Sequence, residues 1–168
     1  MMQTFEERLE RAVTISDIFE VVKDATWKSL KTGRAGLTCG LVDMAPENHR
    51  LIGAVYPVGS TIIVVNKAPI MKILKENRAL FQPYAFHVLL HEYLHSLGYL
   101  DEAVVRKLTG DIAETAFGKD HLTTQIAREP ERFLPELIYT HGEIEEDAGI
   151  AGIEMIKDFD RSSINYIS

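Results

Sequence analysis

The chain is nearly without cysteine: Cys39 is the single one among 168 residues. That excludes an internal disulfide and any zinc site built on several thiolates, and it fits a reducing, cytoplasmic compartment. One tryptophan and six prolines leave no proline-rich tract. No apolar run approaches the ~20 residues that span a bilayer, so no membrane segment is expected. The first eleven residues, MMQTFEERLER, carry three glutamates and no apolar stretch, so a secretory leader is not expected either. Basic residues are the minority charge, 18 against 25 acidic, for a net charge of −7. Binding of nucleic acid through bulk positive charge is therefore not expected.

What is present reads as an ordinary folded domain. Hydrophobic residues make up 46% and charged residues 26% of the chain, which excludes a disordered, collagenous or coiled-coil composition. At this length one domain over 1–168 is the expectation, with roughly two-thirds of the unfolded surface buried. Helical spacing of Ile18, Phe19, Val22 and Thr26 predicts a first helix from Ser16 to Leu30, stopped at Gly33. Strands are expected at Gly36–Val42, Leu51–Tyr56 and Thr61–Asn66, the last two joined by the turn Pro57-Val58-Gly59-Ser60. Lys67–Arg78 reads as a helix or irregular connector. Phe86–Leu97, FHVLLHEYLHSL, is apolar almost all round and so predicts a buried helix, with Gly98 at its end. A further helix is expected over Asp101–Phe117, and the remainder from His121 on is expected to be mostly helical, punctuated by Pro130 and Pro135. The fold class is thus α+β: about three strands packed on an N-terminal helix and a buried central helix, followed by a helical C-terminal part.

The buried helix carries His91-Glu92-Tyr93-Leu94-His95, an H-E-x-x-H pattern. Residues four apart share a helix face with Cβ atoms ~5–6 Å apart, so both imidazoles can bind one Zn²⁺. Glu92, rotated by about 100° from His91, flanks such a metal without ligating it. A carboxylate there can take a proton from a water whose pKa the metal lowers toward ~7.

The pattern continues to Gly98 and Asp101. His91-Glu92-Tyr93-Leu94-His95-Ser96-Leu97-Gly98-Tyr99-Leu100-Asp101 resembles the extended H-E-x-x-H-x-x-G-x-x-H/D signature of metzincin-like zinc metallopeptidases, in particular the small snapalysin-like branch that has Asp in the last place. The resemblance covers about a dozen residues and the order of elements before them. It implies a zincin-like single domain and hydrolysis of peptide bonds. His91, His95 and Asp101 would be zinc ligands and Glu92 the general base. Strand Thr61–Asn66 would be the edge strand that pairs with the main chain of a peptide or protein substrate.

Two other residues compete for the third ligand position. Glu114 lies 19 residues after His95, a spacing similar to that of thermolysin-like gluzincins, and His121 follows the turn at Gly118. If Asp101–Phe117 is one helix, Asp101 and Glu114 lie ~20 Å apart along it and only one can reach the metal. On the helical wheel Asp101 falls on the apolar stripe of Val104, Val105, Leu108 and Ile112, while Glu114 falls about 150° away. A break at Gly110 would reopen the place for Glu114. The competing structural role for Asp101 is an N-cap, with Glu102 in the first turn where the helix dipole favours it. For Glu114 it is a solvated helix charge.

His87, four residues before His91, reads as a core histidine or a neighbour of the ligands. His141 reads as a surface-loop histidine; stabilising an oxyanion is its alternative role, and Tyr139, Tyr93 and Tyr99 are similar alternatives. His49 is expected in solvent, Cys39 in a buried strand, and Trp27 in the core. Glu143, Glu145, Glu146 and Asp147 read as a solvated acidic face. Two rival functions stay open. A bacterial endoribonuclease family of rRNA maturation has the similar motif H-G-x-L-H-x-x-G-Y-D-H, but with glycine where this chain has Glu92. The third reading is a non-catalytic binding module that keeps the metal helix.

Overall fold

The computed structural model describes residues 3–46, 48–139 and 152–161. The readings made for His141, for the acidic run 143–147 and for most of the C-terminal tail lie outside the described residues.

Local capping chemistry sets the first two helices. Helix α1 (Phe5–Arg11), which apolar periodicity alone did not reveal, opens with a capping box between Thr4 and Glu7. Helix α2 (Ile15–Leu30) opens with a second box between Thr14 and Asp17 and ends at Lys31, which takes the left-handed conformation itself, two residues before the expected stop at Gly33. The next segment builds the sheet. Strand β1 (Thr38–Val42) is followed by β2 (Leu51–Ile52), β3 (Ala54–Val55) and β4 (Ile62–Asn66). Gly53 divides what reads in sequence as one strand, because a Cβ there would lie 2.9 Å from both Tyr84 Oη and Val88 Cγ1 of the central helix. Strands β3 and β4 form the expected antiparallel hairpin; β4 then pairs in parallel with β1.

Helix α3 (Lys67–Glu76) follows β4 directly, capped by Asn66, and leads into the central helix α4 (Phe81–Ser96). Every residue of α4 from Pro83 to His95 is buried, as its all-round apolarity requires. Helix α5 (Glu102–Phe117), α6 (Leu122–Arg128) and the short α7 (Pro130–Phe133) come next. The remainder is not helical throughout: β5 (Leu137–Ile138) pairs in parallel with β2, and β6 (Glu154–Met155) pairs antiparallel with β1.

The protein is therefore α+β, with a four-stranded mixed sheet in the order β3-β4-β1-β6 and a separate two-stranded ribbon of β2 and β5. One face of the large sheet, with Cys39, Ile63, Val65 and Ala54, packs into the main core with α2 and α4. The other face carries Val42, Val55 and Val64 in a smaller apolar cluster. Two expectations are corrected. Thr61–Asn66 is not the sheet's edge; β4 is interior, and β3 is the edge on that side. Trp27 is not core, since 55% of it is exposed; α2 turns Phe19, Val22 and Thr26 inward instead. Among the described residues, no helix is long and apolar enough to cross a membrane.

Candidate metal centre

The end of α4 is shaped by Gly98. Its φ of +106° is open to glycine and strained for other residues. The turn folds the chain back so that the Tyr99 amide donates to the Leu94 carbonyl at 3.2 Å. It also brings the Tyr99 carbonyl to His95, whose Nδ1–H donates to it at 2.7 Å. A carbonyl oxygen can only accept, so the proton of a neutral His95 ring sits on Nδ1 and the lone pair is left on Nε2.

That lone pair faces a carboxylate. Glu102 Oε1 lies 2.8 Å from His95 Nε2, and Glu102 Oε2 lies 3.0 Å from His91 Nε2. The second approach has the length of an ion pair but not the alignment of a hydrogen bond, and His91 Nε2 is a buried nitrogen without a hydrogen-bond partner. At such distances a positive charge, either a proton on the ring nitrogen or a metal ion, has to lie between nitrogen and carboxylate oxygen. One ligand atom from each of His91, His95 and Glu102 can be chosen so that all three fall within 4.8 Å of one another. Zinc bonds of ~2.0–2.2 Å place tetrahedral ligand atoms about 3.3 Å apart, so the cluster is already near ligand spacing. Two histidines and one glutamate are a donor set that could hold a metal ion, and one that zinc uses elsewhere with a fourth position left open.

The carboxylate gathered here is that of Glu102 and not that of Asp101. Asp101 Oδ1 accepts the Ala103 amide at 2.8 Å and the Val104 amide at 3.2 Å, so it is the N-cap of α5. The wheel that placed Asp101 on the inner stripe treated it as helical, whereas its φ and ψ of −75° and 121° are extended. Glu102 is the first helical residue, and the cap points it back at α4. The two other candidates are also occupied elsewhere. Glu114 binds Arg128 at 2.7 Å on the outer face of α5. His121 caps α6, its Nδ1 accepting the Thr123 amide at 3.1 Å.

Glu92 is 2% exposed, and the Tyr56 amide, just past edge strand β3, donates to its carboxylate. Burial and, after it, the charge of Glu102 push its pKa well above the ordinary carboxylate value. Burial also lowers the pKa of His91, which keeps the ring neutral and fit to ligate. Glu102 responds in the opposite sense: burial pushes its carboxyl up, but the two imidazoles more than offset this and hold it below the usual value.

A cavity of about 600 Å³ opens beside the cluster, lined by His91 and Glu102 but not by Glu92 or His95. Tyr139 forms one wall, its ring stacked on His91 with centroids 4.4 Å apart and its hydroxyl bonded to His87 Nε2 at 2.5 Å. Burial lowers the pKa of His87 to about 3, so it is a neutral acceptor that orients Tyr139, in keeping with its reading as a neighbour of the ligands. Tyr93 takes no part in the cavity; its hydroxyl accepts the Arg34 amide at 2.9 Å. His49 is exposed and Cys39 buried, as expected.

Glu102 is the residue that sequence reasoning passed over. Its signal was an acidic side chain directly after an N-cap, seven positions beyond the second histidine. No protein-family model, curated protein or solved structure matches this chain.

Proposed function

We propose that this protein is a zinc-dependent hydrolase of peptide bonds, with His91, His95 and Glu102 as the metal ligands and Glu92 as the general base. The observation that carries the reading is the convergence of two buried imidazole nitrogens, one of them without an aligned hydrogen bond, on a single glutamate. When bound, Zn²⁺ would polarise the scissile carbonyl and lower the pKa of water toward ~7. His95 is held in the ligating tautomer by the Tyr99 carbonyl. Glu92, next to His91 in the chain and fixed by the Tyr56 amide, takes the proton from the attacking water and returns it to the leaving amine. Tyr139 lines the cavity beside the cluster, its ring stacked on His91 and its hydroxyl bonded to His87. The zincin-type peptidase reading draws support from this motif, from the glycine turn, and from an antiparallel edge strand beside the helix.

The endoribonuclease reading has less support, because Glu92 has no counterpart in that motif. A purely structural metal is disfavoured by the donor set, since three protein ligands leave a coordination position for substrate.

The test is elemental mass spectrometry on protein purified in zinc, together with hydrolysis of a peptide library. Near-stoichiometric zinc is expected in the wild type. It should be lost in His91→Ala, His95→Ala and Glu102→Ala, and kept in Asp101→Ala, Glu114→Ala and His121→Ala. Zinc retained in Glu102→Ala but lost in Asp101→Ala would overturn the ligand set. Metal-loaded protein that cleaves no peptide would overturn the reaction.

A further inference from the structure

The cavity beside the cluster carries a charge that the hydrolytic chemistry does not use. In a chain of net charge −7, two arginines, Arg50 and Arg106, line it. They are not equivalent. Arg106 lies one turn beyond Glu102 on α5, and its guanidinium is committed to both carboxylate oxygens of Glu131, at 2.5 and 2.6 Å. The guanidinium of Arg50, at the start of the two-stranded ribbon, makes no hydrogen bond or ion pair with another described residue. The wall between them is Tyr139 and Ile138, a surface suited to the apolar part of a side chain.

Resting on the peptidase reading, we infer that this cavity is a substrate subsite for a peptide carboxylate, with Arg50 as its partner. A guanidinium presents a planar fork of N–H donors that matches a carboxylate's two oxygens. Among the described residues Arg50 leaves that fork unspent, and it lines a volume within the ~300–1,000 Å³ range of small-ligand pockets. The geometry favours a single carboxylate over a nucleic-acid backbone. A chain of phosphates needs a track of cations, whereas here the second arginine is already neutralised by Glu131 and the carboxylate of Glu102 lines the same cavity. The carboxylate has two sources in a peptide: a free C-terminus, or an aspartate or glutamate side chain.

Three hexapeptides of alanine and leucine separate these sources. One has a free C-terminal acid, one is amidated and carries a single internal glutamate, and one is amidated and neutral. Binding is measured by titration calorimetry to zinc-loaded Glu92→Gln protein, and cleavage is followed in parallel with the wild type. At least one acid-bearing peptide is expected to bind about tenfold more tightly than the neutral one. Arg50→Gln in the same background should abolish that preference at unchanged zinc content, and Arg50→Lys should restore part of it. Preference for the free acid would mark an exopeptidase subsite, and preference for the internal glutamate a side-chain pocket. Equal binding of all three, or a preference that survives Arg50→Gln, overturns the subsite; wild-type cleavage of the peptides in that case leaves the peptidase reading standing. Binding and cleavage of none of them overturns both, and tight binding of a single-stranded RNA 12-mer in their place would move the protein to the nuclease side.

Discussion

Two buried polar constellations among the described residues are built on opposite principles. At the back of α2, the segment around Phe159–Arg161 is strapped onto the helix. Lys23 Nζ lies 2.6 Å from both Asp160 Oδ1 and Glu20 Oε2, and Asp160 Oδ2 accepts the Gly36 amide at 2.9 Å. Phe159 stacks on Phe19 with centroids 4.1 Å apart beneath this network. Charges there are answered from within the chain. At the junction of α4 and α5, His91 Nε2 and His87 Nδ1 are buried without hydrogen-bond partners, and the buried Glu92 lies within the field of Glu102. A fold satisfies its buried polar groups wherever stability alone decides. The orphaned imidazole nitrogens at the junction of α4 and α5 are what support the proposed metal site.

The strongest way to sharpen the contrast is to act on Glu92. Glu92→Gln keeps the side chain's shape and an oxygen for the Tyr56 amide while removing the base. Peptide hydrolysis should fall by ~10²–10⁴-fold, with zinc content unchanged by elemental analysis. The folded protein should not lose stability, because the substitution removes an ionisable group buried close to another carboxylate. A Glu92→Gln protein that unfolds more easily than wild type in urea would show that the open constellation serves the fold after all.

The strap should respond in the reverse sense. Asp160→Ala leaves Lys23, whose side chain is 10% exposed, with Glu20 as its remaining carboxylate in this network. Breaking a buried pair costs ~3–5 kcal/mol, and the surviving Glu20 puts the expectation at the lower end, about 3 kcal/mol, read as a drop in the urea midpoint at constant slope. Zinc stoichiometry and the metal-dependent rise in stability should be untouched. Loss of zinc in Asp160→Ala would mean the two constellations are coupled through Phe19 and Tyr93, whose rings meet edge to face at 5.4 Å.

How much of this was written in the sequence depends on whether the signal was local. The central helix α4 was legible because both of its features, an all-round apolar stretch and a four-residue histidine spacing, belong to one helix. The antiparallel hairpin and the cap-to-glycine extent of α5 were legible for the same reason. The carboxylate of the cluster was not, because Asp101 and Glu102 differ only in which one the helix takes as its cap. Asp at that place is both a good cap and the residue a family signature supplies, and the two readings exclude each other. Strands β5 and β6 were hidden because two-residue strands have no period of their own; they exist only where β2 and β1 offer them an edge. Trp27 misled because size and apolarity do not fix which face of α2 a side chain takes.

Asp101→Ala tests that junction at a smaller scale. Loss of an N-cap costs ~1 kcal/mol, about 2–4 °C in melting temperature for a chain of this size. Zinc should stay, since Glu102 and not Asp101 faces the imidazoles. Asp101→Asn, which keeps the acceptor oxygen, should recover most of the loss. A loss of zinc in Asp101→Ala that Asp101→Asn does not restore would return the ligand role to the aspartate.

The smallest effect belongs to the outermost contact of the strap, and it is visible only through pH. Asp17 Oδ1 accepts from Arg161 at 2.8 Å, while Oδ2 takes the Val13 and Thr14 amides, each at 3.1 Å. The Arg161 guanidinium first, against some burial and aided by the two amides, lowers the carboxyl from 3.8 to about 2. A carboxyl depressed in the folded state binds its proton more readily once unfolded. Its stabilisation is therefore present in full above about pH 5 and is lost as the pH falls toward about 2. Asp17→Asn should unfold at a lower urea concentration than wild type at neutral pH, and the gap should close across that window. Because the pair is partly exposed, added salt should narrow the gap at neutral pH as well. A gap independent of pH and salt would assign the contribution of Asp17 to its capping bonds alone, which an asparagine oxygen can only partly replace. The strap would then be held from Phe159 and Asp160 inward, with Arg161 contributing nothing to its closure.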